Sequence, residues 1–225
     1  MEYLSSRTVT VIYHPTLRGG RYCAERSTNS QVPIKTLEVP GTVSAFEERS
    51  AALQRFPSIV QVEFLNEQSS SWVQKCSGII LNIRYVLSAA KCFSGPSYSP
   101  LLRRIRAGSS TNTAPRNTGG QIVYVQREIN HPHYVVGSND HDISVVRLTS
   151  SLVYGEFIRN SPIADPATVL PLGFPVIQAG WGSIGVWRRS LAIDGIFILK
   201  NSDCDLPLDP SGQSLLCGEK YRFPS

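Results

Sequence analysis

The sequence predicts an all-β protein, a β-barrel or sandwich. Three observations carry that prediction. Seventeen Gly and 15 Pro in 225 residues punctuate the chain with turns. Short apolar or alternating runs recur at regular spacing between those turns, and no long amphipathic helical pattern interrupts them. Composition is that of an ordinary globular chain, with 41% hydrophobic and 17% charged residues and a mean hydropathy of −0.09. That balance excludes wholesale disorder, collagen-like repeats and a coiled coil. Apolar stretches are only a few residues long, far short of the roughly 20 that cross a bilayer.

Taken in order, residues 1–49 are rich in Ser, Thr, Arg and Pro and read as a poorly ordered extension with one strand-like stretch, Thr8 to Tyr13. From Phe56 the pattern changes. Ile59-Val-Gln-Val-Glu-Phe64 alternates, as a half-buried strand does. Gly78 to Leu81 and Tyr85 to Ala90 are apolar enough for buried strands. Gln121 to Gln126 alternates again, followed by Ile143 to Leu148, Phe174 to Ala179 and Ile193 to Leu199. Turn signals separate them at Ser94-Gly-Pro-Ser97, Thr118-Gly-Gly120, Val136-Gly-Ser-Asn-Asp140 and Asp209-Pro-Ser-Gly212.

The net charge of +5 raises the question of nucleic acid, but the cations are scattered. Arg103, Arg104 and Arg106 form the nearest approach to a cluster and read as a solvated loop, so no nucleic-acid partner is expected. A carbohydrate- or nucleic-acid-binding β module has no support beyond the charge. Arginine outnumbers lysine 17 to 5. Because arginine keeps its charge where lysine begins to lose it, the bias suits an alkaline setting, and drift or codon usage explains it equally well.

Cysteine usage points to an oxidising compartment. Cys76 and Cys92, and Cys204 and Cys217, form two close pairs, while Cys23 stands alone. No C-x-x-C occurs and no histidine lies near enough in sequence for a zinc cluster, so neither metal nor cofactor is expected. His131, His133 and His141 read as turn and loop residues rather than ligands. Trp72, Trp181 and Trp187 read as core or interface fillers. Residues 1–30 carry no secretion signal, in conflict with the cysteines.

Cys76-Ser-Gly-Ile-Ile-Leu-Asn-Ile-Arg-Tyr-Val-Leu-Ser-Ala-Ala-Lys91-Cys92 reads strand, turn, strand, with a cysteine returning to the first. Downstream come Arg106-Ala-Gly-Ser-Ser110, His131-Pro-His-Tyr134, Asp140-His-Asp142-Ile143 and Ala179-Gly-Trp-Gly182. In this order, from Phe56 to Cys217, the chain resembles the chymotrypsin/trypsin-like serine proteases, and within them the insect digestive trypsins. The resemblance implies a chymotrypsin-like double β-barrel with an incomplete second barrel: residues 50–155 form the first barrel and 156–225 part of the second. It also implies disulfides Cys76–Cys92 and Cys204–Cys217, Asp142 as the triad aspartate, extracellular localisation, and a monomer whose partners are protein substrates, inhibitors or other proteases.

The chemistry of that family needs an imidazole base, a carboxylate that orients it, and a serine beside oxyanion-binding amides. Here Lys91 occupies the histidine position. A primary amine with an ordinary pKa near 10.4 is protonated at neutral pH and accepts no proton. A neighbouring Asp142 stabilises the ammonium further, so the expectation is an ion pair filling the place of the His–Asp dyad. A Ser–Lys type of base requires a desolvated lysine without a carboxylate beside it. The family's Gly-Asp-Ser-Gly-Gly nucleophile loop does not occur before Ser225, and Ala45-Phe-Glu-Glu-Arg-Ser50 does not match its activation segment. The chain as written is therefore expected to be inactive. The alternative is an incomplete or misassembled sequence of an active secreted digestive endopeptidase.

Overall fold

A computed structural model of the chain describes residues 8–11, 52–111, 120–165, 169–183, 186–200 and 217–220. Ten strands are assigned: β1 Thr8–Val11, β2 Ile59–Asn66, β3 Ser71–Asn82, β4 Tyr85–Ser88, β5 Arg103–Ala107, β6 Gln121–Asn130, β7 Ser144–Leu148, β8 Pro175–Ser183, β9 Val186–Leu199 and β10 Cys217–Lys220. Six of them close a barrel in the order β2-β3-β4-β7-β6-β5, and the others form a sheet in the order β1-β8-β9-β10. This is the chymotrypsin-like fold, with its first barrel closed. Among the described residues the second barrel is a four-stranded sheet.

Alternation explains the closed barrel. Val60 and Val62 of β2, Val123 and Val125 of β6, and Val146 and Leu148 of β7 all point inward and are buried, together with Ile80, Val86 and Ile105. Their neighbours point to the other face, as the two-residue period of a strand demands, and on β2 and β5 that face is buried as well, so β2 is not the half-buried strand its alternation suggests. Each such side chain contributes roughly 1.5–3 kcal/mol relative to leaving it exposed. Gly78 is required by packing: a Cβ there would sit 2.6 Å from Val86 Cγ1 and 2.9 Å from the Leu87 carbonyl.

The second sheet docks on the barrel through Leu53, Phe56, Ile59, Ala179, Trp181 and Leu191. Trp181 is fully buried. Its indole nitrogen donates to the Ser110 carbonyl at 2.8 Å, and the Leu191 amide donates to the same oxygen at 2.7 Å. Trp181 is thus the core filler expected of it. Trp72 is half-buried at the rim, edge-on to Tyr124 with ring centroids 5.9 Å apart. The side chain of Trp187 lies outside the described residues.

One expectation is corrected. Arg103, Arg104 and Arg106 are not a solvated loop; they belong to β5, hydrogen-bonded between β2 and β6, and all three are buried. Burial is possible because each guanidinium has partners. Arg104 Nε and Arg106 Nε bracket Glu63, at 2.5 Å from Oε2 and 2.7 Å from Oε1. Arg104 also lies over the Trp72 ring, and Arg103 sits 3.5 Å from the Phe64 ring centroid while donating to the Cys92 carbonyl. A buried charge needs this kind of pairing, and Glu63 lies some 40 residues away in sequence, where no local pattern reveals it.

Candidate functional site

The site begins where β4 ends. A 3₁₀ turn over Ala90–Phe93 buries Ala90, Cys92 and Phe93, so Lys91 is the residue turned outward. The turn is tied down by the disulfide Cys76–Cys92, which closes a sequence separation of 16. On the other side, the Asn130 amide donates to the Phe93 carbonyl at 3.1 Å. Two of the residues singled out for a disulfide are thereby joined. Cys204 and the side chain of Cys217 lie outside the described residues, as do Cys23 and the Ala45–Ser50 segment.

Asp142 arrives from the neighbouring strand, on the loop that leads into β7, whose first residue Ser144 lies opposite Ser88 at the end of β4. Its Oδ1 accepts the backbone N–H of Lys91 at 2.8 Å, and its Oδ2 lies 2.8 Å from Lys91 Nζ. The two side chains are 33% and 12% exposed, so the carboxylate is the more sheltered partner. Lys91 Nζ also reaches Asn139 Oδ1 at 3.5 Å. The residues expected to occupy the base and acid positions are therefore in direct contact. Asn139 was not foreseen, although it stands three residues before the aspartate.

The loop carrying Asp142 has a closed neck: the His131 amide donates to the Ile143 carbonyl at 3.0 Å. Above it, three imidazoles meet. His131 and His141 are stacked with centroids 4.6 Å apart, and His133 stands edge-on to both at 5.5 Å. His131 Nδ1 accepts the His133 backbone N–H at 3.2 Å, and His141 Nδ1 lies 3.1 Å from Asp140 Oδ2. His141 adopts φ +52°, a left-handed conformation uncommon outside glycine. Among the described residues, no group of three or more His, Cys, Asp or Glu side chains is placed to hold a metal ion.

Next to the disulfide lies a second polar cluster. The Tyr98 hydroxyl donates to Glu128 Oε2, and the Tyr98 ring packs edge-on to Phe93. Burial, followed by that hydrogen bond, pushes the phenol well above its ordinary range. Burial also lowers Arg103, whose guanidinium lies between the Phe64 and Tyr98 rings, and Tyr98 partly opposes that effect. These groups hold the disulfide-bearing turn against β5 and β6; they do not touch Lys91.

Comparison with known proteins agrees with this architecture. The sequence model of the Trypsin family matches residues 46–217. The chain is 33% identical over 135 residues to "Trypsin, alkaline A" of Manduca sexta, covering 60% of this chain and 50% of that protein. It is 34% identical over 129 residues to "Achelase-1" of Lonomia achelous, covering 57% and 55%. Over 144 residues it is 31% identical to "Phenoloxidase-activating factor 1" of Holotrichia diomphalia, covering 57% and 39%. The chain spans about half the length of the curated relatives it matches. A matched span from residue 46 to residue 217, over a closed six-stranded barrel of this topology, places the chain in the trypsin family.

Proposed function

We propose that this protein is a trypsin-family member that does not cleave peptide bonds and instead binds protein partners outside the cell, among them substrate-like proteins, inhibitors or other proteases. The single observation that carries the reading is the ion pair between Lys91 Nζ and Asp142 Oδ2, 2.8 Å apart. A general base must present a free lone pair to the nucleophile's proton. An ammonium facing a carboxylate has none. Loss of the base in a triad of this kind costs on the order of 10⁶ in rate. A Ser–Lys arrangement is disfavoured by the same contact, because the lysine is one-third exposed and carries a carboxylate against it.

The pair has a structural rationale. A carboxylate that is only 12% exposed needs a compensating group, and Lys91 supplies it together with its own amide. The Cys76–Cys92 disulfide supports an oxidising, extracellular setting. No helix among the described residues is long and apolar enough to cross a membrane.

The test is hydrolysis of an arginine ester by the native protein taken from its source with its own ends, after a cooperative melt shows that it is folded. The expected result is no turnover above the uncatalysed rate. Turnover abolished by a serine-directed inhibitor overturns the proposal and favours an active endopeptidase.

A further inference from the structure

The outer face of the first barrel gathers residues that are scattered in the sequence. Across β4, β7 and β6 the registers place Tyr85 opposite Arg147 and Arg147 opposite Arg127. Two residues along, Leu87 lies opposite Val145 and Val145 opposite Ile129. In β7 Ser144, Val146 and Leu148 are buried, so Val145 and Arg147 stand on the outer face with their cross-strand neighbours. A row of Tyr85, Arg147 and Arg127 therefore runs beside an apolar row of Leu87, Val145 and Ile129. Arg127 is exposed and Ile129 is 48% exposed, while the other four are half-buried.

Residues directly opposite in an antiparallel pair have Cβ atoms roughly 4.5–5.5 Å apart, and like charges placed there repel. Among the described residues neither Arg127 nor Arg147 has an ion-pair partner. Glu128, the acid next in sequence, lies opposite the inward-facing Val146 and accepts the Tyr98 hydroxyl. The row ends on Tyr85, which brings a ring and a hydroxyl but no negative charge. On β5 the contrast is plain: Arg104 and Arg106 are given Glu63 between them. The outer pair is left without a carboxylate.

We infer that this face is an interaction surface for a protein partner that presents carboxylates beside apolar side chains. Guanidinium forks take carboxylates bidentately. The neighbouring apolar row supplies contact area that a bare polyanion does not use. Exposed ion pairs are individually weak and screened by salt, so two arginines alone hold neither a sulfated polysaccharide nor a nucleic acid. Binding requires both rows. The inference rests on the proposed binding of protein partners and adds the place and chemistry of the contact. It draws nothing from Lys91.

The test is fluorescence polarisation of a labelled decapeptide of glutamate interspersed with leucine, titrated with the full chain at low salt. An all-glutamate decapeptide, heparin and duplex DNA serve as competitors. The mixed peptide should bind, and Arg127→Gln with Arg147→Gln should weaken it on the order of ten-fold, with Arg127→Gln alone giving part of that loss. Ile129→Ser should weaken it about three-fold or more. Arg159→Gln with Lys200→Gln, an equal loss of charge elsewhere, should stay within about two-fold of wild type. Because the first pair removes directly opposed like charges, its Tm should equal or exceed that of wild type, which separates lost binding from lost folding. The inference is overturned by a mixed peptide that does not bind at millimolar concentration, or by a control pair that weakens binding as much as the first. It is equally overturned if Ile129→Ser has no effect, or if heparin or DNA competes as well as the mixed peptide, since charge alone then governs the face. Ester turnover would sink the non-cleaving reading and leave this result standing, and absent peptide binding does the reverse.

Discussion

Replacing Glu63 with glutamine removes the carboxylate that balances two buried guanidiniums. Glu63 is 2% exposed, and Arg104 and Arg106 are each 3% exposed. Glutamine keeps the shape, so no cavity opens and the cost is electrostatic. Removing one partner of a buried pair costs about 3–5 kcal/mol, because the charge left behind has been taken out of water without compensation. Arg106 Nη1 is already buried without a hydrogen-bond partner among the described residues, so the cluster has little spare capacity to adapt. Against a typical domain stability of about 5–15 kcal/mol, the loss is about a fifth of the total or more. For a chain of this size it corresponds to a fall in Tm of roughly 6–20 °C. Urea denaturation followed by circular dichroism, with the disulfide kept oxidised, measures it. A companion variant, Glu63→Met with Arg104→Leu and Arg106→Met, removes every charge. It should return to within about 1–2 kcal/mol of wild type, since apolar replacement of a buried ionic cluster is often neutral or stabilising. The reasoning is refuted if Glu63→Gln unfolds within about 1 kcal/mol of wild type, or if the triple variant is as unstable as the single one.

Other outcomes follow from the same contacts. Because Tyr98 is held in its neutral form, its stabilising contribution is complete below the ordinary tyrosine pKa of about 10. Above that pH the unfolded phenol ionises first, so stability falls with rising pH by up to about 1.4 kcal/mol per unit, and Tyr98→Phe should show a shallower fall in melts between pH 9 and 11.5. Replacing both Cys76 and Cys92 with alanine frees a loop with a sequence separation of 16 and should cost about 3 kcal/mol, read as a lower urea midpoint. Gly120 has φ +82°, and a Cβ there would approach the Ala107 carbonyl oxygen to 2.3 Å, so Gly120→Ala should lose about 2–4 kcal/mol by the same measurement.

Legibility in the sequence followed the strength of the two-residue period. The starts of β2, β6 and β7 are visible without coordinates to within a residue; β7 alternates in burial and β6 in its first half, whereas β2 alternates in sequence yet is buried on both faces over its first five residues. β3 begins at Ser71, well before the apolar run that signals it, because its first half is a rim strand whose side chains alternate between exposed and half-buried or buried. β5 was hidden outright. Arg-Arg-Ile-Arg-Ala carries one strongly apolar residue, and what allows its burial is a glutamate on another strand plus the rings of Phe64, Tyr98 and Trp72. The contact between Lys91 and Asp142 followed from motif order; spacing alone gives no hint, since 51 positions separate them. The meeting of His131, His133 and His141 was equally invisible, because it depends on a loop neck closed by one backbone hydrogen bond and on a left-handed His141.

One contact at the site has a wider meaning. Asp142 is anchored by the main-chain N–H of position 91 through Oδ1, independently of the ammonium on Oδ2. Every residue except proline offers that donor. The aspartate's location is thus indifferent to which side chain stands opposite, and position 91 can change identity without the surrounding scaffold having to move. An imidazole placed at this position would find a carboxylate already anchored by the main chain, with no need to rebuild the loop.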